Sequence, residues 1–203
     1  MDDQAGVAAI LNAFVNVAQC DRPCRAWALF TRAEEIGFIG AIQAFREGIV
    51  PKHAVIVSVE ASAQRPNAVL GGGVIVRTGD RRSCFDPALI AWLLSTATAL
   101  QRENPSFHFQ RALMDGGACE ATAAQALGWR AAGLSLPLGN YHNRGPKGCL
   151  APERIHADDL QGASALIAAA IEAWPQARLD VCETALIDRI LAQAPRRLSP
   201  ELR

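Results

Sequence analysis

Five acidic residues and one histidine stand where they could do chemistry together: Asp2 and Asp3, the adjacent pair Glu34 and Glu35, Glu60, and His142 in the run Tyr141-His142-Asn143. Carboxylates with an imidazole are the donor set of metal-assisted hydrolysis. A carboxylate can bridge two divalent ions, other carboxylates and imidazoles complete each site, and a position is left for water. Two consecutive glutamates suit a division of labour. Across a turn their side chains diverge, so one can ligate while the other faces the water. Each residue also has an ordinary reading. Glu34 and Glu35 could be first-turn acids favoured by a helix dipole, and His142 a hydrogen-bonded loop residue. Glu60 is harder to dismiss, because it ends a run that reads as buried, where an isolated charge is costly. The weight rests on their co-location.

The elements that must position them follow from periodicity. Residues 3–18 place apolar side chains at helical spacing behind Asp2 and Asp3, where an N-cap and a first-turn acid belong. Residues 25–33 read as a strand. Residues 34–48 turn through glycines into a helix that Gly48 ends. Residues 53–61 form a Val/Ile run with the look of a strand buried on both faces. Strands are also expected at 71–79, 107–113 and 131–138, and helices at 86–104 (Pro87 in the first turn), 118–128 and 158–174, with a last helix ending near residues 194–197. Strands alternating with helices predict an α/β domain with a mostly parallel sheet. Ligands bind such sheets in the loops after the carboxyl ends of strands. The candidate residues fall in those loops.

The 203 residues suffice for one domain spanning 1–203, and no linker or repeat divides them. Twenty Lys and Arg balance twenty Asp and Glu, so no basic surplus argues for nucleic acid, and no apolar run is long enough to span a membrane. The opening MDDQAG is acidic and unlike an export signal, which makes the cytoplasm the expected location. The six cysteines (Cys20, Cys24, Cys84, Cys119, Cys149, Cys182) are scattered and are expected to be reduced thiols. Cys20 and Cys24 lack a second Cys/His pair at finger spacing. A nucleophilic Cys119, its thiol activated by a glycine-rich turn and a helix start, is a distant alternative.

In order along the chain, DDQAGVAAIL, FTRAEEIGFIGA, VSVEAS with RPNAVLGGGVIVRTGD, and GLSLPLGNYHN followed by PERIHADDL resemble motifs of the glutamyl/deblocking aminopeptidase family of co-catalytic zinc peptidases. The resemblance implies a three-layer α/β/α zinc-peptidase-like fold with a mixed, mostly parallel central sheet. It implies hydrolysis of N-terminal residues of peptides through a metal-activated water. Two divalent ions complete the family's site, zinc first, with cobalt or manganese as alternatives. Asp2 matches the bridging carboxylate, four residues before Gly6, and Asp3 an orienting acid. Glu34 matches the general base, Glu35 and His142 metal ligands, and Glu60 a ligand position usually held by aspartate.

Two departures bear on function. The family's first metal-binding histidine lies on a strand before the Asp-Asp motif, and its inserted dimerisation domain lies between the two. Neither is present in this sequence, so Asp2, Glu35 and His142 would furnish one site, and Asp2 with Glu60 only part of a second. The expectation is therefore the C-terminal catalytic portion of the family, without its N-terminal strands, impaired as it stands and holding one ion. The rival is a non-catalytic binding or assembly subunit with the same fold. In addition, GGACEA (116–121) stands where family members carry a glycine-threonine-aspartate element. Glu120 there is a candidate for binding a substrate ammonium. Peptides are the expected partners, with homo-oligomers conceivable and neither nucleic acid nor membrane indicated.

Overall fold

A computed structural model describes residues 1–20 and 25–177, together with Leu179, Ile190 and Ala192. The expected last helix, Cys24 and Cys182 lie outside the described residues. The first helix, α1 (Gln4–Val17), is capped by Asp3, whose Oδ1 accepts the Gly6 N–H at 3.0 Å. Ala5, Ala9 and Ala13 recur every fourth residue on its buried side, a stripe of small side chains that packs against α5 (Ala157–Ala173). Val7, Leu11 and Val15 are exposed on the same helix.

Helix α2 is shorter than the 34–48 expected, covering Ile39–Arg46. Gly37 (φ 111°) and Phe38 (φ 60°) hold residues 34–38 in a turn, so helix begins only beyond them. Gly48 (φ 71°) ends it in the left-handed conformation. Strand β1 is Val55–Ala63 and β2 is Val74–Asp80. Helix α3 (Pro87–Glu103) starts with Pro87 behind the N-cap Asp86, whose carboxylate accepts from Ala88 and Leu89. Then come β3 (Phe109–Met114), α4 (Glu120–Ala126), β4 (Arg130–Leu138) and α5.

The sheet runs β1-β4-β2-β3, with β1/β4 and β2/β3 parallel and β2/β4 antiparallel. Helices α1, α3 and α5 contact one another or the sheet on one side, while α2 packs on α4, which contacts β1 and β4. This is a mixed α/β fold with helices flanking the sheet. Apolar β4 is its centre, with every residue from Ala131 to Leu138 buried. Asp159, fully buried in the first turn of α5, accepts the N–H groups of Gly71 (2.8 Å) and Gly73 (2.7 Å) and so ties that helix to the entry of β2.

Two expectations need correction. Residues 25–33 are not a strand. They share no backbone hydrogen bond with β1 among the described residues, and an extended run becomes a strand only through a ladder partner. Their end is anchored to α2 instead, where Arg32 and Ala33 carbonyls accept from Gly40 and Ile39. Secondly, β1 is not buried on both faces: seven of its nine residues are only partly buried. It is an edge strand in this sheet, and among the described residues no strand pairs with its outer side.

Candidate metal centre

The Asp-Asp motif sits at the start of α1 and its glycine has a steric reason. A Cβ on Gly6 would stand 2.1 Å from Asp3 Oδ2, so only glycine leaves room for the capping carboxylate. With Asp3 turned back onto its helix, Asp2 reaches the other way. Glu35 comes from the turn before α2. His142 comes from the loop after β4, where Asn140, His142 and Asn143 all have left-handed φ (55°, 53° and 59°). The Tyr141 and His142 rings stack at 4.0 Å between centroids.

These three side chains converge. His142 Nε2 lies 4.0 Å from Asp2 Oδ2 and 4.0 Å from Glu35 Oε1. One ligand atom from each of the three falls within 4.8 Å of the others. Around a tetrahedral ion with bonds of ~2.1 Å, ligand atoms stand ~3.4 Å apart, so side-chain shifts below ~1 Å would close the set. Two carboxylates and an imidazole are a fitting donor set for zinc and its neighbours.

Glu153 holds two of these three in register, and sequence reasoning missed it. Its Oε2 accepts the Asp2 N–H at 3.2 Å and the Met1 ammonium at 2.8 Å, and its Oε1 accepts the His142 N–H at 3.0 Å. Gly139 and Arg154 exchange backbone hydrogen bonds at 2.8 and 3.1 Å, which clamps the Glu153 segment beneath the His142 loop. Pro-Glu-Arg was legible only as part of a motif. Nothing in its spacing named Glu153 as the tie.

The remaining acids form an inner group. The Glu120 carboxylate raises the proton affinity of Asp3, Glu34 and Glu60, and Glu34 raises that of Asp3 and Glu60. Burial first, then the neighbouring carboxylates, pushes Glu34 up to about 7. Burial, opposed by the Gly6 hydrogen bond and aided by Asp2 and Glu120, pushes Asp3 up to about 8. Asp2 rises to about 6, chiefly through burial and Glu35. Glu60 is raised through burial against the opposing guanidinium of Arg77, and it accepts from Ser58 Oγ at 3.0 Å. It lies within β1, three residues before the strand's end, and outside the Asp2-Glu35-His142 set. Glu120 accepts a hydrogen bond from Thr31 Oγ1. Carboxylates crowded this way raise the pKa of their neighbours, and a cation bound among them would lower it.

Placement also bears on Cys119 and on His156. Cys119 is fully buried and its thiol is pushed up to about 12 by burial, so the helix start does not activate it. Cys84, Cys119 and Cys149 are free thiols. His156 caps α5, its Nδ1 accepting the Asp158 N–H at 3.2 Å, and it is not in the metal set.

A comparison with curated proteins finds no match. Solved structures share the fold. The aminopeptidase APDkam598 from the archaeon Desulfurococcus kamchatkensis is 24% identical with a TM-score of 0.68, the match covering 84% of this chain and 47% of that one. The PhTET1-12s dodecamer gives 24% identity and 0.68, over 84% and 48%. The TET1 peptidase of Pyrococcus horikoshii, which assembles into a tetrahedron or a large octahedral shell, gives 22% and 0.63, over 84% and 48%. The chain thus spans about half the length of the structures it matches. Residues 1–166 match the M42 glutamyl aminopeptidase family, a span that holds the Asp-Asp pair, both glutamates, Glu60, His142 and Glu153, and the chain belongs to that family.

Proposed function

We propose that this chain carries the metal-binding part of an aminopeptidase that removes N-terminal residues from peptides with a metal-activated water. The convergence of Asp2, Glu35 and His142 carries this reading. A divalent ion held there, zinc first, supplies Lewis acidity and lowers the pKa of a bound water. Glu34 is the general base. It adjoins Glu35 in sequence, faces the same acid group, and with a pKa near 7 it can accept a proton at neutral pH. Glu35 and His142 would hold the ion together with Asp2, the match to the family's bridging carboxylate. Asp3 holds the start of α1 so that Asp2 points at the site.

A second ion would draw on Asp2 and Glu60, two carboxylates without an imidazole. Among the described residues Asp2, Glu35 and His142 are the one group of three donors close enough to share an ion. The 203-residue chain by itself therefore holds one ion tightly and turns peptides over slowly. Glu120 lines the cavity with Glu34 and Glu60 and would receive the substrate's ammonium there.

The test is metal analysis of purified protein, paired with an aminopeptidase assay over a panel of N-terminal residues. Tight binding of one ion with slow, metal-dependent release of N-terminal residues supports the reading. An ion bound without hydrolysis would make the chain a non-catalytic member of its family. No bound ion would remove the reading altogether.

A further inference from the structure

One face of the sheet holds charged and polar side chains under cover. Strand register sets Arg77, Gly133 and Ser58 in one row across β2, β4 and β1, and Ile75, Ser135 and Glu60 in the next. Residues two apart on a strand share a face, so Arg77, Ser58, Ser135 and Glu60 stand on the same side. Arg77, Ser58 and Ser135 are buried, and Arg77 Nε and Ser135 Oγ have no hydrogen-bond partner among the described residues. Gly133 gives the Arg77 side chain its lane over the central strand. A Cβ there would stand 3.2 Å from Arg77 Cδ and 3.0 Å from Phe85 Cε2. Burial raises the carboxyls of Glu60 and Glu34, and the Arg77 charge opposes it at both. An arginine keeps its charge in a protein, so a fixed cation is built in behind these acids.

We propose that Arg77 is the second cation of this centre, a fixed guanidinium that serves Glu60 in place of a second metal ion. The proposal rests on the one-ion reading of Asp2, Glu35 and His142, and it makes Glu60 a counter-charge and not a ligand. Asp2 and Glu60 do not fit a second divalent ion. They offer no imidazole, and one oxygen of Glu60 already accepts from Ser58 Oγ at 3.0 Å. A dication beside Glu60 would also meet a like charge that is part of the fold. A buried guanidinium is too costly to keep without acids near it, and a buried carboxylate too costly without a cation. Each therefore holds the other in the core. Arg77 is a positioning residue, which fixes the Glu60 carboxylate in the cavity wall that Glu34 and Glu120 share.

The test uses the whole 203-residue protein, with Zn²⁺ as the titrant and melting curves recorded without metal. Glu60→Gln should keep one ion per chain and lose less than the ~10-fold in affinity that even a ligand's supporting partner is worth. Arg77→Met removes the charge and keeps an apolar stem, so it should strengthen binding of a second ion by ~10-fold or more. That gain should vanish when Glu60→Gln is added, and Arg77→Lys, which keeps the charge, should still stop at one ion. Without metal, Arg77→Met should lower Tm, and by less in the Glu60→Gln background. Loss of the first ion in Glu60→Gln, a tight second ion in wild type, no second ion in Arg77→Met, or an equal melting loss in both backgrounds would each overturn the proposal. Should Arg77→Met fail to fold, the Glu60→Gln and Arg77→Lys titrations decide it. The melts need neither metal nor hydrolysis, so the pairing of Arg77 with Glu60 and the peptidase reading can fail separately.

Discussion

Glu153 and His142 are joined by a hydrogen bond of 3.0 Å from the histidine's own backbone N–H, and the other oxygen of the same carboxylate accepts the N–H of Asp2. One side chain thus ties together two proposed metal ligands that are 140 positions apart in sequence. Partners of this kind orient ligands and are nearly as sensitive to mutation as the ligands themselves. Glu153→Ala should weaken metal binding ~10–100-fold. Isothermal titration with Zn²⁺ checks this, and unchanged affinity would show that the loop holds His142 unaided.

The two adjacent glutamates should separate. Glu34→Gln removes a base and not a ligand, so turnover should fall by ~10²–10⁴ while metal content stays near one ion per chain. Glu35→Gln should lower metal content as well. Equal metal loss in both variants would mean that the roles are exchanged or shared.

Gly6 tests the Asp-Asp motif without touching a ligand. In Gly6→Ala the new Cβ would meet the Asp3 carboxylate at 2.1 Å, so the cap must give way. The loss should be ~1–2 kcal/mol of stability, the usual cost of a helix cap, together with weaker metal binding as the start of α1 shifts Asp2. Denaturant titration and metal titration read the two effects separately. A variant as stable as wild type would show that Asp3 does not cap in solution.

The crowded acids give the metal-free protein a definite pH dependence. Asp2, Asp3 and Glu34 have folded-state values of about 6, 8 and 7, above their ordinary range near 4. Between pH ~4 and ~8 the folded state therefore binds more protons than the unfolded state, and stability must fall as pH rises through that window. Thermal melts should show a lower Tm at pH 8 than at pH 5 without metal. Adding Zn²⁺ at pH 8 should recover the loss, with proton release on binding. A metal-free Tm that rises from pH 5 to pH 8 would mean the acids are already neutralised by another cation.

Much of this was legible in the sequence because it is local. Asp86-Pro87, the apolar run before Glu60 and the small-residue stripe of α1 each dictate their element from within a few residues, and observed boundaries follow. Asp2, Glu35 and His142 could be grouped because each lies at the edge of such an element. What escaped depends on pairing across the chain. Residues 25–33 have the composition of a strand, yet composition does not provide the neighbour that a ladder needs. Arg77 reads as an ordinary strand cation, and only the sheet shows it 3% exposed, lying over Gly133, with its Nε lacking a partner among the described residues. Glu153 acts through two backbone N–H groups that no spacing rule connects.

X-ray absorption on the zinc-loaded 203-residue chain tests the metal centre most directly. One ion per chain is expected, with one imidazole nitrogen and two carboxylate oxygens at ~2.0–2.2 Å. The imidazole contribution should vanish in His142→Ala, and the ion should be lost in Glu35→Ala. A zinc site bound through thiolate sulfur, or a spectrum and stoichiometry unchanged by both substitutions, would contradict the assignment of Asp2, Glu35 and His142.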